Sequence, residues 1–261
     1  MKFLVVGDIV GNSGMKMLKD NLEKIKKEEA IDFCIVNGEN ATGGRGIKEK
    51  ELKQIYKLGA DVVTMGNHLY YRKESAVLYK TEPNLIIPAN ITNLEGRGFV
   101  FKEKNNKKIC VINLLGKVYL NELSGEYFTD PFKTITKVLE KVKKEEPDYI
   151  FLDFHAEASA EKIAMGHYLK NDVTCVYGTH THVQTADERI MGNGMAYITD
   201  VGMTGPKESV IGLKTEIALH RFLTGEKTKY ECSESEGILN AIVVTTDDNT
   251  NKAIDIKRIY I

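Results

Sequence analysis

Five apolar runs in this chain each end in side chains that can bind a metal ion. Asp8 follows residues 2–7 (KFLVVG), Glu39 and Asn40 follow residues 32–37 (DFCIVN), and Asn67 and His68 follow residues 61–65 (DVVTM). His155 closes residues 149–154 (YIFLDF), and His180 and His182 come just after residues 173–177 (VTCVY). The last pair is the most telling, because the chain has only six histidines. Side chains at i and i+2 on an extended segment point the same way, so both imidazoles are expected to face a common target.

Carboxylate, carboxamide and imidazole donors without sulfur suit iron, manganese, zinc or cobalt rather than a structural zinc knot. Asp8, Glu39, Asn40, Asn67, His155, His180 and His182 are too many for one ion that must keep an open position. Two ions sharing a bridging carboxylate accommodate them. Such a pair, roughly 3.5–4 Å apart, lowers the pKa of a shared water and clamps a phosphoryl oxygen during in-line displacement. The chemistry expected is hydrolysis of a phosphate ester. Each group alone has a plainer reading: Asp8 and Glu39 as helix caps, Asn67 as a left-handed turn residue, His155 as a hydrogen-bonded structural histidine. Jointly those readings require several unrelated coincidences at the same edge of one sheet.

Short apolar runs alternating with charged, helix-periodic segments must position these groups. The alternation predicts a largely buried α/β sheet with helices on both faces, whose chemistry collects at the carboxyl ends of its strands. Helices are predicted over residues 15–29 and 48–58, and again from Asp130-Pro131, a cap and first-turn pair, through "FKTITKVLEKVKKEE". Residues 108–114 (KICVINL) read as a further strand, and "RIMGNGMAYI" as a hairpin turning over Gly192-Asn193-Gly194. Alternating strands in residues 230–261 are expected to form a second sheet packed on the first. Without repeats or Pro- or Ser-rich linkers, residues 1–261 read as one domain.

Composition excludes several classes. Thirty-six Lys and Arg against 37 Asp and Glu give a formal charge of −1, no field for bulk nucleic acid or a membrane surface. Cys34, Cys110 and Cys175 lie in apolar runs and no C-x-x-C occurs, which points to reduced cysteines and a cytoplasmic protein. The N-terminal "MKFLVVGDIVG" is too short for a signal peptide, and no apolar stretch approaches the ~18 residues of a spanning helix.

"GDIVGNSG", "VNGENATGGRG", "TMGNH", "PNLIIPANI", "FLDFHAEASAEK", "GTHTHVQTAD" and "AYITDVGMTGP" together resemble the calcineurin-like metallophosphoesterases, specifically their YmdB-type branch of bacterial cyclic-nucleotide phosphodiesterases. The resemblance covers essentially the whole chain. It implies two packed mixed β-sheets flanked by helices in four layers, α-β-β-α, an α/β arrangement that broad classification counts as α+β. It implies that Asp8, Glu39, Asn40 and His182 hold one ion. Glu39 would bridge to a second, completed by Asn67, His155 and His180. His68 would be the general acid for the leaving oxygen, and hydroxide generated at the ions would attack phosphorus. The metals implied are iron first, with manganese or zinc as alternatives. The substrates implied are 2′,3′- or 3′,5′-cyclic nucleoside monophosphates or other small phosphodiesters. A homo-oligomer is also implied, with no membrane and no stable nucleic-acid complex.

Three positions depart from the wider superfamily: Val10 stands where a histidine is usual, Glu39-Asn40 replaces an aspartate motif, and Leu69 replaces an acidic residue. The missing histidine motivates a competing reading, a non-catalytic nucleotide- or RNA-binding regulator; a phosphomonoesterase is the other. Residues contacting the substrate are not assigned. "GGRG" at residues 43–46 is either a phosphate approach for backbone N–H groups and Arg45 or a flexible loop. Tyr70, Tyr71 and Arg72 read as helix-start packing rather than a base-stacking surface, and His167 and His220 as surface or packing residues.

Overall fold

The computed structural model describes residues 1–120 and 127–261. In chain order its strands begin with β1 (Lys2–Val6), β2 (Asp8–Ile9), β3 (Phe33–Asn37), β4 (Val62–Thr64) and β5 (Leu85–Ile86). The middle of the chain supplies β6 (Phe99–Lys104), β7 (Lys107–Leu115), β8 (Tyr149–His155), β9 (Cys175–Thr179), β10 (Arg189–Met191) and β11 (Met195–Ile198). Then come β12 (Met203–Pro206), β13 (Gly237–Ile238), β14 (Asn240–Thr246) and β15 (Ala253–Tyr260). The helices are α1 (Gly11–Glu28), α2 (Glu49–Lys57), α3 (Ser75–Thr81), α4 (Pro131–Val142), α5 (Ser159–Leu169) and α6 (Thr215–Thr224).

Two six-stranded mixed sheets result, ordered β15-β14-β1-β3-β4-β5 and β10-β11-β9-β8-β7-β6, with a small sheet β13-β12-β2 beside them. Period-two alternation builds the layers. Phe3 and Val5 of β1 meet Tyr149 and Phe151 of β8 in a core between the sheets. The intervening Leu4 and Val6 pack outward on Leu18 and Leu22 of α1 and Leu52 of α2. Ile150, Leu152 and Phe154 pack the other way, on Ile135 and Leu139 of α4 and Met165 of α5. These central strands are covered on both faces, which is why they read as continuous apolar runs. Met15, Leu18, Leu22 and Ile25 give α1 one buried stripe. At α4, Asp130 caps by accepting from the Lys133 N–H at 3.0 Å, and Pro131 takes the first turn. No helix among the described residues is long and apolar enough to cross a membrane.

One expectation is overturned. The C-terminal strands do not make the second sheet; β14 pairs antiparallel with β1, Lys2 opposite Thr245 through Val6 opposite Ala241, and β15 is the edge beyond it. The second sheet comes instead from residues 99–198. Ile242 and Val244 point into the inter-sheet core while Ala241 and Val243 join the outer one. A strand apolar on both faces belongs in a sheet interior, but periodicity does not name its partner. The hairpin between β10 and β11 forms as predicted, with Gly192 and Gly194 at positive φ. The α1 helix starts earlier than its apolar stripe suggests, at Gly11, which enters it with φ of 59°.

Candidate functional site

Every residue singled out for metal chemistry lands at one rim, where the carboxyl ends of strands from both large sheets meet. Glu39 and Asn40 follow β3, Asn67 and His68 form a 3-10 turn after β4, and His155 is the last residue of β8. Asp8 opens β2, and His180 and His182 follow β9. Asp8, Glu39, Asn40 and His155 are buried.

Ligand-capable atoms gather in two overlapping groups, Glu39–His155–His180 and Asp8–Glu39–His182, each with its atoms within 4.8 Å of one another. Glu39 belongs to both. Its Oε2 lies 3.3 Å from His155 Nε2, and His155 Nε2 lies 3.0 Å from both Asn67 Oδ1 and His180 Nδ1. Asn40 Nδ2 contacts Glu39 Oε1 at 2.9 Å and His182 Nε2 at 3.1 Å. His182 Nδ1 donates to the Ile211 carbonyl at 2.8 Å, so Nε2 carries the lone pair facing the site. His68 Nδ1 lies 2.6 Å from Asn40 Oδ1 and 3.2 Å from Glu39 Oε1, which leaves its Nε2 for the cleft.

Three observations show that this constellation fits cations. Among the described residues Asp8 Oδ1 is buried without a hydrogen-bond partner, a costly state for a carboxylate oxygen unless a cation meets it. A Cβ on Gly66 would come within 2.1 Å of Glu39 Oε2 and 2.3 Å of His155 Nε2, so only a bare backbone fits behind these two side chains. The electrostatics agree. Burial disfavours the His155 imidazolium, but the Glu39 and Asp8 carboxylates overcome that and raise its pKa to about 9. His180, desolvated and facing that charge, falls to about 2 and keeps its lone pair. The oxygens that favour a proton on His155 are the ones that would favour a metal ion.

The two histidines converge by a different route from the one their spacing suggests. The strand ends at Thr179, and His180 and His182 take φ of 103° and 65°, a region that costs non-glycine residues on the order of 1–3 kcal/mol each. Their side chains accordingly reach different partners, His155 for His180 and Asn40 for His182. The loop is held by the His180 N–H donating to Asp8 Oδ2 at 3.1 Å and by Asp200. Asp200 Oδ2 accepts from the Thr181 N–H at 3.0 Å, its hydroxyl at 2.7 Å and Lys162 Nζ at 2.6 Å.

Asp200 and Lys162, both buried, were not singled out from the sequence. Asp200 sits just past β11, so the strand-end rule that found the others points to it too. Lys162 offers a weaker signal, a lysine among the buried positions of α5. Behind His155, Nδ1 contacts Thr179 Oγ1 at 2.8 Å, and that hydroxyl donates to Asp153 Oδ1 at 2.6 Å. Glu157 Oε2 meets His180 Nε2 at 3.0 Å.

A cleft of about 560 Å³ opens over Glu39, Asn67, His68, His180 and His182 and continues past Ile211 to Phe222 and Tyr230. A second, of about 440 Å³, shares Arg45, Asn67 and His68 with it and runs between Tyr70, Tyr71 and Tyr127. Tyr71 is half exposed, so the tyrosines after His68 line a cleft wall instead of packing a helix start as expected.

A family model for YmdB-like proteins matches residues 4–259. The 2′,3′-cyclic-nucleotide 2′-phosphodiesterase of Bacillus subtilis is 42% identical over 262 residues, covering 100% of this chain and 97% of that one. A phosphatase structure from Mycoplasma pneumoniae superposes with a TM-score of 0.93 at 37% identity, covering 100% of this chain and 93% of that one. A 5′-nucleotidase structure from Candida albicans shares the fold at a TM-score of 0.61 and 13% identity, covering 99% of this chain and 50% of that one. With the four layers, the shared rim and these matches in place, the chain belongs to the YmdB-like family.

Proposed function

We propose that this protein is a metal-dependent phosphodiesterase acting on cyclic nucleoside monophosphates, 2′,3′-cyclic substrates first and 3′,5′-cyclic ones second. The observation that carries this reading is Glu39, common to two overlapping ligand groups on the floor of a nucleotide-sized cleft. The Bacillus relative, whose name states a 2′,3′-cyclic-nucleotide activity, supports the substrate class. Two cations are assigned: one to Asp8, Glu39, Asn40 and His182, with the Asn40 carboxamide turned so that its oxygen replaces Nδ2 beside His182, the other to Glu39, Asn67, His155 and His180. Iron is the metal proposed, manganese or zinc the alternatives. When bound, such a pair supplies a water of lowered pKa and neutralises charge on the phosphoryl group.

The chain's own residues do the rest. His68, anchored through Nδ1 by Asn40 and Glu39, presents Nε2 to the leaving alkoxide and gives it a proton. Asp200 and Lys162 fix the loop that aims His180 and His182. The whole chain would work as one domain, in the cytoplasm and as a homo-oligomer.

The test uses protein loaded with Mn²⁺ or Fe²⁺ and 2′,3′-cyclic AMP. His68→Ala is expected to keep its metal and lose ~10²–10⁴ of turnover, and less on an aryl diester whose leaving group needs no proton. Undiminished turnover of the cyclic nucleotide would remove His68 from the reaction. A fully loaded protein that cleaves no cyclic nucleotide would overturn the activity itself.

A further inference from the structure

Arg45 lines both clefts beside Asn67 and His68. The turn that carries it passes through positive φ at Gly43, Gly44 and Gly46 (61°, 83° and 74°), where glycine bears little cost. Arg72 clamps that turn: its Nε donates to the Arg45 carbonyl at 3.1 Å and its Nη2 to the Thr42 carbonyl at 2.8 Å. A Cβ on Gly44 would lie 2.6 Å from Tyr230 Oη, so the tyrosine closes directly onto the turn. The loop is built rather than slack.

Its guanidinium lies over two rings, 5.4 Å from the Tyr71 centroid and 4.5 Å from the Tyr230 centroid. Ring faces hold a cation without using its N–H groups. Arg72, Arg97, Arg221 and Arg258 each donate to an oxygen of the protein. Among the described residues Arg45 has no such oxygen; its Nε is covered and unpartnered, so the Nη groups are the edge it offers to the clefts. A positioned, planar donor edge lacking an acceptor matches the geometry of a phosphoryl group.

We propose that Arg45 is the anion anchor of the site, binding a non-bridging phosphoryl oxygen of the nucleotide next to His68. This deepens the phosphodiesterase reading and rests on it for the substrate. Hydrolysis breaks one P–O bond to the sugar, forms one to water and converts a monoanionic diester into a more highly charged monoester. The anchor therefore holds product more tightly than substrate, and inorganic phosphate shares the chemistry.

The test compares metal-loaded wild type, Arg45→Met and Arg45→Lys. Arg45→Met should raise the KM for 2′,3′-cyclic AMP and weaken inorganic phosphate binding, measured by calorimetry, each by about 10–100-fold, with kcat little changed. Its melting temperature should fall by no more than about 2–4 °C, since only the ring contacts with Tyr71 and Tyr230 are lost and no hydrogen bond is broken. Arg45→Lys, which keeps charge without the planar fork, should recover part of the phosphate affinity. Unchanged phosphate affinity in Arg45→Met overturns the proposal, and so does a loss of affinity matched by a larger loss of folding stability. If the wild type binds phosphate through Arg45 yet cleaves no diester, the anchor stands and the phosphodiesterase reading falls.

Discussion

Replacing Lys162 with Met removes one charge from a closed pair while keeping most of the side chain's bulk. Lys162 and Asp200 are each 1% exposed and lie 2.6 Å apart. The lysine stem crosses Gly178, whose added Cβ would meet Lys162 Cδ at 2.8 Å, so the methionine has a channel shaped for it. Asp200 retains donors from Thr181 and from the Gly202 N–H at 2.8 Å, but its carboxylate is left buried without a counter-charge. Breaking a buried pair in this way costs about 3–5 kcal/mol, and the surviving hydrogen bonds favour the lower end. At about 2–4 °C per kcal/mol for a chain of this size, the melting temperature should fall by roughly 6–20 °C. Because Asp200 holds Thr181 between the two strained histidines, divalent-metal affinity should fall as well. Thermal unfolding by circular dichroism, on stripped and metal-loaded protein, reads both effects. The stability loss should appear in both preparations. A Lys162→Met protein that melts with the parent, or loses stability only when loaded, would refute a role in holding the loop.

Gly66→Ala should strip the site, since its Cβ would lie within 2.1–2.4 Å of Glu39 Oε2 and the His155 ring; metal content after dialysis should drop, and full occupancy would contradict the crowding. Asp187 offers a pH test away from the candidate ligands. Burial pushes its carboxyl up, but hydrogen bonds from Thr199 and Thr185 outweigh that and hold it below the usual range. A depressed folded pKa gives stability that is fully present above the unfolded value of about 3.9 and lost as pH falls through the folded one. Asp187→Asn should therefore lower the melting temperature at pH 7, and the gap should close in strong acid; a gap independent of pH would disprove it.

Much of the site was legible because strand ends are marked by composition: an apolar run stops and a donor follows. Asp8, Glu39, Asn67 and His155 obey that rule directly. His180 and His182 obey it for the wrong reason, since spacing suggests a shared extended face and the backbone instead turns through positive φ at each. That departure depends on Asp8 and Asp200 as hydrogen-bond acceptors, contacts spanning 172 and 19 residues that no local window contains. The sheet assignment of β14 failed likewise: its pattern records burial on both sides, and only register with β1 decides where. Arg45 was visible, but that it meets two ring faces and no oxygen among the described residues is a fact of three dimensions.

Glu39 arrives from one large sheet and His155 from the other, so the aromatic filling between them acts as a gauge block. Phe3 lies 4.5 Å from Phe151 in a tilted pair and 5.0 Å from Tyr149 edge-on, centroid to centroid. Whatever thickness that layer has is transmitted to the gap between opposing donors, and a misplacement of 1 Å can cost on the order of 10²-fold in rate. Substitutions at Phe3, far from any substrate, would then detune the reaction like a worn spacer in a precision jig.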